Sequence, residues 1–394
     1  MLDLINSILI LLAIAMGLGV IFDRYNLPEV VGAITAGIIL GPAVLSLITP
    51  SAELSTLSIL ALFFIVLQIG IEASADIFSR NMGYITAFAI TSFIVPFAIM
   101  STGSFFIFGL PYFESVSVSL SVSIPSISIT SVLLVRSGII KLDDGLRLLG
   151  GVALSDVIGF IIFVSFHRAF LGLIADSASL VVFVILLYLL DNYLKSKSEH
   201  LVKGLAKFRG SGKESLVFAA VIMMGLAVSS LFEYIGITFV LGALFSGLII
   251  HQNSVGEEIY GVLQRTFQRI NNSFFIPLFF SISGLEVTLI PFTAVPYMIF
   301  LIAISSLIGG YFALQFSRKF MKNVTPQISL GIFGGRGAVG IIIASIALSD
   351  GFLSSTYYSL AIFSTVIMAV IFTFIFQRAL NSNQTLQNDI KEAA

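Results

Sequence analysis

The sequence predicts an all-α polytopic membrane protein with about thirteen transmembrane helices, the N-terminus outside and the C-terminus in the cytoplasm. Composition, the lengths of the apolar segments and the distribution of basic residues support this fold class. Of 394 residues, 57% are hydrophobic and 10% charged, with a mean hydropathy of +1.07. Soluble domains contain about 25% charged residues, so a soluble globular protein is excluded. A net charge of −1 offers no basic surface for nucleic acid, and the lack of cysteine excludes disulfides and thiolate metal sites.

The apolar segments are long enough to cross a bilayer, which requires about 20 residues per helix. Residues 1–22 lack a basic leader and a small-residue cleavage site, so we expect a retained helix rather than a signal peptide. The predicted spans are residues 4–22, 28–47, 54–71, 83–110, 116–135, 146–171, 174–194, 215–232, 236–252, 273–290, 294–316, 327–348 and 354–376.

The basic residues support this number of helices. With the N-terminus outside, 18 of the 20 Lys and Arg residues fall in cytoplasmic loops or in the C-terminal segment, as the positive-inside rule requires. The exceptions are Arg168, near an outer helix end, and Arg336, inside a span. One helix more or fewer would scatter these charges over both sides of the membrane.

The chain divides into two predicted halves. Residues 1–194 form the first half with an extra N-terminal helix, 195–213 a basic cytoplasmic linker, and 214–394 the second half. No soluble regulatory domain fits after the last span, so a nucleotide-binding regulator would be a separate chain.

Three pairs of similar segments indicate an internal repeat. Their offsets are between 209 and 216 residues, and each pair lies seven spans apart, so the second copy is inverted. Inverted repeats of this kind are typical of secondary transporters. The pairs are 31–37 with 241–247, 63–72 with 279–286, and 155–158 with 364–367.

Asp156 is the ionisable residue that most needs a functional explanation. It lies about ten residues into its span, with no Lys or Arg one helical turn away. A charge at this depth costs about 2.5–3.5 kcal/mol on insertion scales. Because burial penalises the charged carboxylate, a proton and a small cation would compete for its oxygens. The alternative is a neutral aspartic acid that is hydrogen-bonded within the helix bundle.

A broken helix is predicted in residues 115–131. Pro125 removes a backbone donor near the middle of this span, and an open strand is not stable in lipid. Freed carbonyls and hydroxyls near the break would then face a cavity and suit a hard cation such as Na⁺. Serines farther from the break are expected to bond to their own helix. The serines and threonine are at positions 115, 117, 119, 121, 123, 126, 128, 130 and 131.

Arg336 marks a second predicted break, because glycines at 334, 335 and 337 favour irregular backbone there. Its fixed charge would balance the negative C-terminal ends of half-helices; the alternative is an arginine that reaches the inner interface. Gln68 interrupts an apolar span and either faces the same cavity or joins two helices. Glu72 and Glu286 lie at span ends and are expected to cap or pair there.

The chain resembles the monovalent cation:proton antiporters, that is, the sodium/proton exchangers and related potassium/proton exchangers, over nearly its whole length. The resemblance rests on the order and spacing of five features: residues 27–28 with 40–42 around the second helix, 70–72 closing the third, the broken fifth helix, Asp156, and 335–337 in the twelfth.

This resemblance implies a homodimer in which each chain has a dimerisation domain and a moving core with two crossed broken helices. It assigns cation and proton binding to Asp156, with Ser155, Thr130, Ser131 and Gln68 nearby, and places Arg336 at the second break. Asp156 would be the carboxylate ligand of the monovalent cation. No cofactor is implied; the cation and the proton are the substrates, and the protein is a transporter in the cell membrane rather than an enzyme.

Two departures from the resemblance predict electroneutral exchange. Electrogenic bacterial members have two adjacent aspartates and a lysine in the helix before the second broken one. Here Ser155 replaces the first aspartate, the lysine position falls near Ser306, and the span 294–316 contains no basic residue. One titrating carboxylate then exchanges one cation for one proton.

Two other functions stay open from the sequence alone. A sodium-coupled symporter for an organic acid could use a similar architecture, although Arg336 is almost the only candidate anion ligand. A non-transporting membrane sensor or channel is the other alternative. The sequence contains no recognisable filter sequence or soluble output domain that would support it.

Overall fold

The computed structural model describes residues 2–25, 27–72, 82–125, 130, 133–134, 137–139, 142–169, 211–234, 239–250, 256–321 and 324–383. The predicted span 174–194, most of the predicted linker 195–213, and Ser131 lie outside these ranges.

The regular secondary structure of the described residues is helical, as predicted. The helices are α1 (Leu2–Arg24), α2 (Glu29–Leu40), α3 (Ala52–Glu72), α4 (Met82–Ala89 and Val95–Phe106 with the π-helical segment Ile90–Ile94 between them), α5 (Tyr112–Ser123), α6 (Asp143–Ala169), α7 (Ser211–Tyr234), α8 (Phe239–Ile249), α9 (Glu257–Ile270 and Ile276–Leu285 with the π-helical segment Asn271–Phe275 between them), α10 (Val295–Phe320), α11 (Pro326–Gly334), α12 (Ala338–Ser349) and α13 (Ser355–Asn381).

Six of these helices are long and apolar enough to cross a membrane. They fall in α1, α3, α4, α7, α10 and α13, where the hydropathy of the sequence predicts spans. Further apolar helices are shorter because the chain is interrupted: α2 ends at Leu40, where Gly41 is extended and Pro42 follows. The total of thirteen spans and their orientation stay predictions.

The helix that includes most of the predicted span 273–290 has different bounds from that span. The helix begins sixteen residues earlier, at Glu257, and ends at Leu285. Its first part contains charged residues, which lowered the hydropathy of the sequence there, but it still buries the apolar side chains of Ile259, Leu263 and Phe267.

Prolines account for both π-helical segments. Pro96 and Pro277 each lie two residues after the end of a segment. A proline ring clashes with the carbonyl four residues earlier, here Ser92 or Ser273, and provides no N–H for it. Both carbonyls belong to the widened segments, where an extra residue in the turn relieves this clash.

The fold divides into two compact units. The first comprises Met1–Thr56, Arg80–Phe163 and Pro277–Ala394, and the second comprises Leu57–Ser79 and Val164–Ile276. Each unit is described separately below.

Equivalent helix contacts recur in the two units. In the first, Gly32 of α2 packs directly on the backbone of α1 at Gly19. In the second, Gly242 of α8 packs on the backbone of α7 at Ser229. Gly19 and Gly32 each lie 210 residues before their counterparts Ser229 and Gly242, the same offset as that of segments 31–37 and 241–247. The inverted repeat stays a prediction.

A second pair of contacts follows the same relation. Gly37 of α2 lies against the carbonyl of Ser281 in α9, within the first unit, and Gly247 of α8 lies against the carbonyl of Leu67 in α3, within the second. A Cβ at either glycine would overlap the opposing backbone. Glycine is therefore required at both positions for the helices to approach so closely.

We expect Gly37→Ala to lower the free energy of unfolding by about 1–3 kcal/mol, because the added methyl group displaces backbone rather than a flexible side chain. Gly17→Ala is the matched control, since a Cβ there meets nothing within 4 Å. Thermal unfolding in detergent measures both. Equal melting temperatures for the two variants would contradict the tight contact.

Candidate functional site

Two interrupted helices meet in the first unit. α5 ends at Ser123, after which Ile124 is extended and Pro125 follows. α11 ends at Gly334, Gly335 is extended, and α12 starts at Ala338. The two interruptions pair through an antiparallel β-bridge between Pro125 and Arg336. Both breaks are therefore where the proline and the glycines predict them, and they cross each other.

The Arg336 side chain is completely buried at this crossing. Its Nε donates to Ser305 Oγ at 2.9 Å, and its Nη1 donates to the carbonyl of Ser123. Ser305 Oγ in turn donates to the carbonyl of Val122 at 3.4 Å. These carbonyls end α5, where a helix has unpaired acceptors and partial negative charge. The guanidinium thus binds the end of a half-helix and does not reach an interface.

α12, the helix that follows the second break, also packs on α5. Gly340 of α12 lies against the carbonyl of Ser121, too close for a Cβ. The hydroxyls of Ser121 and Ser123 donate to carbonyls of their own helix, at Ser117 and Ser119. Ser115 donates to the carbonyl of Leu110 at 3.2 Å, just before α5, whereas the buried Ser119 Oγ has no partner among the described residues. The two serines nearest the break thus bond to their own helix and Ser119, farther from it, does not, which differs from the expectation.

Asp156 of α6 is wholly buried. Neither carboxylate oxygen has a hydrogen-bond partner among the described residues, and no salt bridge of that part of the chain includes it. The ion pair found there joins Arg147 to Asp144 at 3.3 Å, near the start of the same helix. The described residues thus provide no hydrogen-bond donor or acceptor to Asp156 and no cation beside it.

The α5 break lies beside the Asp156 region of α6. Gly159, three residues after Asp156 and thus on the same side of the helix, contacts the side chain of Ile124 at the break. Thr130, helical and buried beyond the break, also has an Oγ1 without a partner in the described ranges. Ser155 Oγ donates to the carbonyl of Gly151 at 2.9 Å, within its own helix.

A buried carboxylate with free oxygens can bind a proton or a small hard cation, since oxygen is the ligand that such ions prefer. Over the described part of the chain, no three His, Cys, Asp or Glu residues cluster as a polyvalent metal site would require. The buried acid is therefore the candidate site for a proton or a small cation in this unit.

Gln68 belongs to the second unit. Its Oε1 accepts a hydrogen bond from Asn271 Nδ2 at 2.5 Å, and the same nitrogen donates to the carbonyl of Phe64 at 2.9 Å. Asn271 is not among the predicted site residues, because it lies before the predicted span 273–290, in a predicted cytoplasmic loop. Ser305 is also not among them; it lies one position from the Ser306 that the family comparison singled out. The sequence signals that could have identified them are the amide of Asn271 beside an apolar segment and the adjacent serines 305 and 306 within one.

An all-helical membrane fold with related contacts in two units, and two broken helices that cross beside a buried acid, defines the class of secondary transporters. The chain belongs to the sodium/hydrogen exchanger family, whose transmembrane model matches residues 8–382. It is a multi-pass protein of the cell membrane.

Relatives and solved structures agree with this membership. The chain is 26% identical over 386 residues to an Na⁺/H⁺ antiporter of Enterococcus hirae, covering 93% of this chain and 97% of the relative. It is 27% identical over 359 residues to the Na⁺/H⁺-K⁺ antiporter GerN of Bacillus cereus, covering 89% of each. The fold matches the sodium proton antiporter MjNhaP1 of Methanocaldococcus jannaschii at pH 8 with a TM-score of 0.70, 12% identity and 98% coverage of both chains.

Proposed function

We propose that the protein is a secondary active antiporter that exchanges a monovalent cation for H⁺ across the membrane. The observation that carries the proposal is the Asp156 carboxylate, which is wholly buried and has no hydrogen-bond partner or ion pair among the described residues. A carboxylate in that setting needs a proton or a cation to neutralise it.

A proton and a cation cannot occupy the Asp156 carboxylate at the same time, and this competition couples their transport in opposite directions. The core moves between inward-facing and outward-facing states when the acid is protonated or when it binds a cation. The empty, charged form is disfavoured in transit because the buried carboxylate is then uncompensated. Thr130 and Ser131 supply further oxygens at the α5 break, Ser155 fixes the helix beside the acid, and Arg336 holds the two breaks together.

Na⁺ is the favoured cation, and Li⁺ or K⁺ are alternatives. The printed names of the relatives support testing both common ions, since the Enterococcus hirae protein is named for Na⁺ and GerN for Na⁺ and K⁺. We further propose a homodimer with an inverted repeat, as the family resemblance implies.

The direct test of function is dissipation of a pH gradient in proteoliposomes, with Na⁺, Li⁺, K⁺ or choline added in turn. We expect a response to at least one inorganic cation and none to choline. If no cation gives a response while labelled organic acids accumulate with Na⁺, the protein is the symporter of the alternative hypothesis, with Arg336 as a candidate anion ligand.

We expect the exchange to be electroneutral, because Ser155 stands where electrogenic members have a second aspartate and α10 has no basic residue before Arg318. Transport currents recorded on a supported membrane measure this. The account predicts proton flux without a sustained current. A robust current that scales with the flux and depends on Asp156 would contradict it.

A further inference from the structure

We propose that Asn271 Oδ1 is a ligand of a second and uncharged binding site for the transported monovalent cation, and that Gln68 orients the Asn271 amide by accepting its hydrogen bond. This inference rests on the exchange function proposed above and adds to it a residue that neither the family resemblance nor the sequence analysis identifies.

The geometry of the amide pair is the first argument. Asn271 is wholly buried at the start of the π-helical segment of α9. Its Nδ2 uses both hydrogens, one toward the Phe64 carbonyl at 2.9 Å and one toward Gln68 Oε1 at 2.5 Å. The ring of Phe64 stacks on Phe275 of the same segment, with centroids 4.3 Å apart.

These contacts fix the orientation of the Asn271 amide. A backbone carbonyl can only accept a hydrogen bond, so the nitrogen and not the oxygen of Asn271 faces Phe64. Oδ1 therefore points away from α3. It is buried and has no donor among the described residues, although buried polar atoms are nearly always paired. Such an oxygen suits an electropositive ligand.

The surroundings select a monovalent cation. α3 has no charged residue between Glu53 and Glu72, so this helix places no carboxylate in the helical turn that contains Gln68. Neutral amide and carbonyl oxygens bind an alkali cation without a proton in exchange, and weakly enough for the ion to leave.

The same face of α9 extends this polar surface. Tyr260 donates to the carbonyl of Ile71 at 2.8 Å, and Gln264, one turn later, donates to the Tyr260 hydroxyl at 3.1 Å. Asn271 follows seven residues after Gln264, on the same side of the helix. A row of uncharged oxygen-bearing groups thus runs along the contact between α9 and α3.

A purely structural role is the competing explanation, in which the amides only join the two helices. Three variants distinguish a cation site from a purely structural role: Asn271→Leu, Asn271→Asp and the control Asn272→Leu. Asn272 is a suitable control because it is adjacent to Asn271 but exposed. The measurement is cation-dependent proton flux in proteoliposomes, with the apparent KM and the maximal rate determined for Na⁺ and K⁺, and thermal unfolding recorded for each variant.

We expect Asn271→Leu to raise the apparent KM of the transported cation by about tenfold, the lower end of the range for weakened metal sites, with a nearly unchanged maximal rate. Asn271→Asp retains an oxygen ligand but loses both N–H donors to Phe64 and Gln68, so its KM should lie below that of Asn271→Leu. Asn272→Leu should match the wild type.

The inference is wrong if Asn271→Leu keeps the wild-type KM, or if both Asn271 variants lose maximal rate and thermal stability together with no change in KM. Should Asn271→Leu fail to fold, Asn271→Ala takes its place, because it removes the same oxygen with a smaller side chain, and a wild-type KM in that variant overturns the site. Absence of exchange in the wild-type protein would instead refute the proposed function itself.

Discussion

Replacing Asp156 by Asn should reduce cation-dependent proton flux to the level of protein-free liposomes while leaving the protein folded. The substitution nearly preserves side-chain volume, and the native carboxylate makes no hydrogen bond or ion pair in the described structure that its loss would break. The amide cannot take up a proton at physiological pH and cannot neutralise a cation. The measurement is pH-gradient dissipation with each cation, alongside thermal unfolding.

Asp143→Asn is the matched control, since it makes the same chemical change at the exposed start of the same helix. Its flux should stay close to that of the wild type. Equal flux in Asp156→Asn and in the wild type would show that exchange does not take place at this residue. A loss of flux in both variants would show that the effect is not specific to the buried acid.

The second large effect is expected for Arg336→Gln. The change removes the donors to the Ser123 carbonyl and to Ser305, and each hydrogen bond from a charged donor is worth about 1.5–3 kcal/mol. The end of α5 also loses the cation that opposes its dipole. We therefore expect a lower melting temperature and a loss of exchange, with partial recovery in Arg336→Lys, which keeps the charge but not the forked geometry.

Arg318→Gln, at the exposed cytoplasmic end predicted for α10, is the control and should change neither property by much. Unaltered or increased stability of Arg336→Gln would mean that desolvation of the guanidinium outweighs its contacts. Arg336 would then not hold the two helix breaks together.

The sequence alone predicts the central features of the site because they depend on local chemistry. Pro125 cannot donate to a helix, and the glycines around Arg336 favour irregular backbone, so both breaks are readable without coordinates. An aspartate deep within an apolar segment is equally visible. The six long apolar helices follow from hydropathy in the same way.

Features that depend on contacts between distant segments were not predictable. The bridge between Pro125 and Arg336 joins residues 211 positions apart. Ser305 gains its partner only when α10 packs beside this crossing. Asn271 was placed outside the membrane because charged residues at the start of α9 lower the local hydropathy, although that part of the helix buries a regular apolar face.

The central claim is that one carboxylate binds either a proton or the cation, and calorimetric cation titration of the purified protein tests it most directly. Titrations in two buffers with different ionisation enthalpies yield the number of protons released per bound cation. Where the free acid is protonated, the account predicts about one proton released per wild-type protein molecule when the cation saturates it, with no release from Asp156→Asn. Saturation with the cation without any proton release from the wild type, or unchanged release from the variant, would contradict the account.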